Sequence, residues 1–347
     1  MSTINKLPKE LLYKILNNIN SVSELAQIRL VCKRWDQHAE KIMFSKQITI
    51  TSNPQALVLY GHLFKKTSHG KLVRHIHFHP SFQDKSIWLM SALLRIVFTV
   101  DILELTGVEK QDDVFNVILT AANESETKLL FLPHQPDAFT VAYSDALITF
   151  RHTLTSITIR LNRNTPDDTF WNFVDRLDEF KSLEVFDFSV SILVFRDLER
   201  ILKGCTHLRS LSLDPYITAD LINSNELNTW MRANVEKVRT LVHLTVVDEC
   251  YGDLLEYLMF KYPNIKKLDI NAERSRFKFD NSTAFKSNMD RVLKAIKGAP
   301  EKKIDFIISY SQLYIDIYRY FSSSDYTIIF KKVIGDNNLL FGVDGDI

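Results

Sequence analysis

Glycine is scarce, with nine in 347 residues, and none of them falls in a GxGxxG or GxxxxGK[ST] spacing. Loops that cradle nucleotide phosphates need those glycines for the tight turn and the close approach of backbone, so the chain carries no phosphate-loop signature. Only three cysteines occur, Cys32, Cys205 and Cys250, far apart in the chain. An odd and sparse set fits a reducing compartment better than a disulfide framework. Neither sign of charge dominates, since 43 Lys and Arg stand against 42 Asp and Glu for a net charge of +1. No global field draws such a chain to nucleic acid or to an anionic membrane. No apolar run approaches the ~20 residues that span a bilayer, and the opening MSTINKLPKE lacks the basic stretch and apolar core of a secretory signal. The expectation is a cytoplasmic and/or nuclear protein with no membrane and no nucleic-acid partner. What the chain does have is apolar material: 46% hydrophobic against 24% charged residues, enough for a large core and far from the composition of disorder.

Residues 7–44 read LPKELLYKILNNINSVSELAQIRLVCKRWDQHAEKIMF. Pro8 suits the opening of a helix, where its fixed φ and missing N–H do no harm. Leu11, Leu12, Ile15, Leu16 and Ile19 follow at helical spacing. Ser21 with Glu24 has the spacing of a capping box and predicts a second helix start. Leu25, Ile28, Leu30 and Val31 carry that helix's apolar side, and Cys32, Trp35, Ala39 and Met43 lead into a third. A segment this short, below ~40 residues, seldom folds without a staple or a partner. It must dock on the rest of the chain, on another protein, or on both.

Leu7-Pro8, Glu10, Leu11-Leu12, Ile15-Leu16, Leu30-Val31-Cys32 and Trp35 together resemble the F-box, the motif that docks substrate receptors onto cullin–RING ubiquitin ligases. The resemblance covers about one eighth of the chain and rests on several spaced features agreeing at once. It implies binding to a Skp-type adaptor, and through it to a cullin–RING ligase. By analogy the adaptor-binding residues are Leu7, Pro8, Leu11, Leu12, Ile15, Leu16, Leu30, Val31, Cys32 and Trp35. The alternative is that the same residues close an ordinary amino-terminal helical cap.

Beyond residue 45 the chain repeats itself. A cluster of the form apolar-x-x-apolar-x-apolar recurs as Val73-Ile76-Phe78, Val100-Leu103-Leu105, Leu154-Ile157-Ile159, Leu183-Phe186-Phe188, Leu208-Leu211-Leu213, Leu241-Leu244-Val246 and Ile265-Leu268-Ile270. Weaker copies are Thr127-Leu130-Leu132 and, after Ser45, Ile48-Ile50. First positions lie 24 to 33 residues apart, and all intervals but the longest fall in the ~20–29 window of leucine-rich repeats. Helical patterns fill the gaps: Asn53 to Phe64, Asp84 to Phe98, Asp112 to Ala122, Pro136 to Phe150, Pro166 to Phe180, Phe195 to Lys203, Thr218 to Val238, Gly252 to Phe260 and Thr283 to Lys297. The chain thus resembles the leucine-rich repeat family in its long, helix-bearing form. The expected fold is an α/β solenoid: an amino-terminal three-helix F-box over residues 1–45, then a leucine-rich-repeat horseshoe over 46–309 with a parallel concave sheet and convex helices, and a carboxy-terminal cap over 310–347. The cap is read from irregular strands at Ile304 to Ile308, Tyr326 to Phe330 and Leu339 to Val343, and from Tyr310, Tyr314 and Tyr318 at helical spacing. A doubly wound parallel sheet is the second choice.

Candidate chemistry is thin. His75, His77 and His79 alternate with Ile76 and Phe78, so at strand spacing they share one face. Imidazoles can hold zinc or copper, but i, i+2 side chains stand ~6–7 Å apart, awkward for a tight tetrahedral site. They are read instead as polar residues available to a partner. Cys205 beside His207, the helix-start pairs Asp112-Asp113 and Asp167-Asp168, and the tyrosine stripe all have packing or capping explanations. No cofactor, no metal and no catalytic residue is expected, and the protein is read as a non-catalytic receptor subunit. By strand alternation the target-binding face comprises His75, His77, Glu104, Phe131, Thr158, Arg160, Asp187, Asp214, His243 and Asp269. Mixed charges suit a protein target better than a nucleic-acid backbone. The expected function is the substrate-recognition subunit of an SCF-type ubiquitin ligase. A repeat scaffold acting without ubiquitin transfer is the alternative, and a small molecule or metal in the concavity is a third reading.

Overall fold

Alternation of buried and half-buried residues marks β-strands such as His75–Phe78, Ser156–Arg160 and His243–Val247. The computed structural model of the chain describes residues 7–79, 82, 87–98, 102–107, 112–123, 128–133, 135–161, 167–192, 194–217, 224–247, 251–272, 287–288, 290–292, 294–295, 301–308, 327–332 and 339–345. The chain divides into two units, Met1–Leu154 and Thr155–Ile347. Val100, Thr127, Cys250 and the stripe of Tyr310, Tyr314 and Tyr318 lie outside the described residues.

In the first unit three helices lead: α1 (Lys9–Asn17), α2 (Val22–Ile28) and α3 (Lys33–Ser45). Pro8 caps α1 with its carbonyl accepting from the Leu12 amide at 3.1 Å. The Ser21 side chain accepts from the Glu24 amide at 3.2 Å and starts α2, as the capping spacing predicts. Two contacts tie α3 alongside α1: Arg34 Nη2 donates to the Leu7 carbonyl at 2.5 Å, and Lys46 Nζ donates to the Asn17 carbonyl at 2.8 Å. The strands β1 (Gln47–Ile50), β2 (His75–Phe78), β3 (Ile102–Thr106) and β4 (Lys128–Leu129) then form a four-stranded sheet in chain order, every pairing parallel. Between them run α4 (Asn53–Lys65), a 3₁₀ turn (Thr67–Leu72), α5 (Ile87–Val97) and α6 (Asp112–Asn123), followed by α7 (Val141–Thr149). The helix expected from Pro136 starts later, because Thr140 supplies the cap and accepts from the Tyr143 amide at 3.3 Å. The repeat expected as Thr127-Leu130-Leu132 is also displaced: Leu103 pairs with Leu129, which is fully buried, while Leu130 is only half-buried. One residue of slip exchanges the two faces of a strand, and the consecutive leucines 129 and 130 left the choice open to the sequence.

In the second unit β5 (Ser156–Arg160), β6 (Val185–Ile192), β7 (Ser210–Ile217), β8 (His243–Val247), β9 (Lys267–Ala272) and β10 (Glu301–Ile308) pair parallel, each with the next in the chain. The end of the chain returns antiparallel: β12 (Leu339–Gly345) pairs with β10, and β11 (Thr327–Lys332) lies outside it, completing an eight-stranded sheet. Helices α8 (Asp168–Val174), α9 (Phe195–Lys203), α10 (Ser224–Asn234) and α11 (Gly252–Lys261) fill the connections. The bounds of α9 are those the sequence pattern predicts. Asp167 caps α8 by accepting from the Phe170 amide at 2.9 Å.

The repeated apolar positions form the core. Leu183, Phe186 and Phe188 are at most 2% exposed, and the same holds for Leu208, Leu211, Leu213, Leu241, Leu244 and Val246. Pairing is in register, so Ile157, Phe186, Leu211, Leu244 and Leu268 form one row across the sheet, and Ile159, Phe188, Leu213, Val246 and Ile270 the next. Phe188 stacks on Phe170 of α8 with ring centroids 6.1 Å apart, which places that helix on the buried face.

Candidate functional site

The leading helices divide their apolar residues between two duties. Leu12 and Leu16 of α1 point inward at 1% and 0% exposure, with Leu25, Ala39, Ile42, Met43 and Phe44. Leu11 and Ile15, one helical turn apart, stay 47% and 49% exposed, and Leu30 and Val31 in the link between α2 and α3 stand out at 86% and 59%. Pro8 is exposed as well, and Leu7, Cys32 and Trp35 are half-buried. The ten residues expected to meet an adaptor are therefore not one surface. Leu12 and Leu16 belong to the chain's own core, because a helix packed on α3 must bury the stripe that faces it. Pro8, Leu11, Ile15, Leu30 and Val31 are the members that present apolar area to solvent.

The polar face of each sheet collects most of the residues expected to read a target. In the first unit His75 Nε2 and His77 Nδ1 share Thr106 Oγ1 at 2.8 and 3.0 Å, and His75 Nδ1 lies 3.5 Å from Glu104. Gly107 follows at φ +75°, and a Cβ there would stand 2.2 Å from the Phe78 carbonyl and 2.7 Å from His77 Nδ1. Only glycine both accepts that φ and leaves the imidazole its room. In the second unit Thr158, Asp187, Ser212, Thr245 and Asp269 align in one row, flanked by the Arg160, Ser189, Asp214 row. Arg160 reaches Asp187 at 3.5 Å, Ser189 Oγ donates to Asp214 at 3.0 Å, and Asp269 takes His243 at 2.8 Å and Lys267 at 3.0 Å. Burial works to raise the Asp269 pKa, but the bonds from His243 and Lys267 outweigh it and hold the carboxyl below its ordinary 3.8. Phe131 is the exception in placement: it follows β4 in a bend rather than standing in a strand, and is 42% exposed.

Cys205 lies in the core with Sγ directed at the Ile201 carbonyl, and burial pushes its thiol up to about 12. A thiol held protonated is a packing group rather than a nucleophile.

One constellation gave no signal in the sequence. Glu40 of α3, His62 of α4 and His69 of the following 3₁₀ turn bring one ligand atom each within 4.8 Å of one another. The three come from three elements, so no short spacing announces them. Burial is the largest influence on both imidazoles and lowers their pKa from 6.5, with Arg29 and Lys66 adding to the effect and Glu40 opposing it. His38 and His75 are lowered too, again chiefly by burial. Below pH 6.5 the unfolded chain therefore binds more protons at these histidines than the folded one does. Their contribution to stability is complete above that pH and is lost as pH falls through the lower folded values. Amides of Asn53–Lys65 are expected to exchange hydrogen markedly faster at pH about 5.5 than at about 7.5, after correction for intrinsic rates. Equal protection at both would show that these histidines are not held neutral by their burial.

Comparison with known proteins agrees with the geometry of the head: residues 4–51 match the F-box-like family. No curated protein matches the chain. The chain thus carries an F-box-like domain followed by mixed α/β elements with parallel sheets. F-box domains bind Skp-type adaptors and dock by them into SCF-type ubiquitin ligases generally.

Proposed function

We propose that this protein is a substrate receptor of an SCF-type, cullin–RING ubiquitin ligase, built as an F-box head on a leucine-rich-repeat solenoid and acting in the cytoplasm and/or nucleus. The observation that carries the proposal is apolar exposure inside the F-box-like segment: Leu11, Ile15, Leu30 and Val31 are all close to half exposed or more, in a segment that has already buried its inner stripe. Leaving this area in water is unfavourable by about 25 cal/mol per Å², and an adaptor surface removes it. The solenoid half of the proposal is supported by strand order. Each parallel strand pairs with its neighbour in the chain and the order never reverses among the paired parallel strands, whereas a doubly wound sheet reverses at a switch point. The polar sheet faces would then hold the protein target. Such a receptor is non-catalytic. It accelerates transfer by holding the target near a conjugating enzyme that other subunits recruit, a gain in effective concentration.

Co-expression with a Skp-type adaptor tests the first half. A stable complex is expected with the wild-type chain, and the double substitution Leu30→Asp with Val31→Asp, both outside the core, is expected to abolish it while leaving the thermal midpoint nearly unchanged. A complex indifferent to that substitution would remove the ligase reading and leave a scaffold that binds proteins without ubiquitin transfer.

A further inference from the structure

We propose that Glu40, His62 and His69 form a zinc site that clasps the F-box-like head to the segment following it. Glu40 lies within the matched residues 4–51, while His62 and His69 lie beyond them. The proposal is independent of whether the head docks on an adaptor.

The geometry carries it in three steps. First, the donor set is right for zinc, which takes imidazole nitrogen and carboxylate oxygen and commonly uses three protein ligands with water in the fourth place. Second, the spacing is close to what a metal needs. Ligands ~2.0–2.2 Å from a tetrahedral zinc stand roughly 3.3 Å apart, and His69 Nε2 is 3.2 Å from Glu40 Oε2. All three ligand atoms lie within 4.8 Å of one another. Third, the site has unspent bonding capacity. His62 Nε2 and His69 Nδ1 are buried from water and have no hydrogen-bond partner. A polar atom shut away without a partner is unusual in a folded protein, and a cation supplies the missing partner for His62.

The surroundings fit a resident ion. Phe44 covers the site, its ring centroid 5.7 Å from that of His62 and 5.4 Å from that of His69. Glu40 Oε1 accepts from Arg29 Nη2 at 2.5 Å, and Arg29 Nε in turn binds Asp36 at 2.7 Å. That leaves Oε2 for the metal and fixes the carboxylate from behind, the role outer partners play at metal centres. Lys66 Nζ stands 3.9 Å from Oε1, but its side chain is 58% exposed and can turn to water when the ion enters. Zinc takes His69 at Nε2 as the neutral imidazole, so the proton now lying between His69 and Glu40 Oε2 passes to Nδ1 by exchange of tautomer.

The test uses the full chain, stripped with a chelator and dialysed. Zinc chloride titrated into it is expected to bind one equivalent and to raise the thermal midpoint. His62→Ala and Glu40→Gln should each weaken binding at least ~100-fold, beyond the 10–100-fold that loss of an outer partner costs. His75→Ala with His77→Ala should leave it unchanged. His62 is the decisive position because it is only half-buried, and the chelated variant's thermal midpoint against the chelated wild type shows that it folds. Should it not fold, His62→Gln, which keeps the bulk, takes its place. Absence of saturable binding to the wild type would overturn the proposal, as would binding retained in the His62 variant or lost only in the His75 and His77 variant.

Discussion

Lys261→Met is expected to destabilise the second unit by about 3–5 kcal/mol. Lys261 ends α11 fully buried, and its ammonium donates to both oxygens of Glu199 on α9, at 2.8 and 2.9 Å. Tyr257 Oη adds a third bond to the same carboxylate at 2.6 Å. Burial, reinforced by the Glu199 charge, raises the Tyr257 phenol well above 10, so it stays a donor. Removing the ammonium leaves a carboxylate without its counter-charge at 7% exposure, and breaking one partner of a buried pair costs about 3–5 kcal/mol. The double variant Lys261→Met with Glu199→Gln should recover most of the loss, since a neutral amide can still accept from Tyr257. Urea unfolding monitored by far-ultraviolet circular dichroism measures both. A loss below about 1 kcal/mol in the single variant would mean that the pair does not join α9 to α11.

Neighbouring residues of α1 should separate stability from docking. Leu16→Ala opens a cavity at a fully buried site and is expected to cost about 2–5 kcal/mol. Ile15→Ala, at a side chain half in water, should change stability by within about 0.5 kcal/mol yet weaken adaptor binding about tenfold or more, as loss of an interface anchor does. Denaturation and adaptor titration on the two variants give the four values. The reverse pattern, with Ile15→Ala unfolding the head and Leu16→Ala harmless, would contradict the division of α1 into an inner and an outer stripe.

The sequence showed the repeat because its signal is strict. Two apolar residues flanking one polar residue in each strand, preceded by a third three positions upstream, recur often enough to reveal themselves, and the structure buries every one of them from Leu154 to Ile270. Where Lys128, Leu129 and Leu130 blurred that alternation, the register slipped by one. Pro136 is an opening signal and predicts an earlier start for the helix Val141–Thr149, but Thr140 holds the actual cap. On the head, residue types located the apolar positions yet did not divide them. Leu11 and Leu12 are chemically the same, and only the packing of α1 on α3 decides which is covered. The cluster of Glu40, His62 and His69 was illegible for another reason: its members are joined by the fold, across three elements, and not by spacing.

The exposed apolar edge of the F-box-like head, Leu11, Ile15, Leu30 and Val31, is proposed to be kept free for another protein. Hydrogen exchange of the full chain with and without a Skp-type adaptor tests it most directly. Protection is expected in Lys9–Asn17 and around Leu30 and Val31, with the strands of the eight-stranded sheet unchanged. No protection on the head, or protection confined to the sheets, would contradict it.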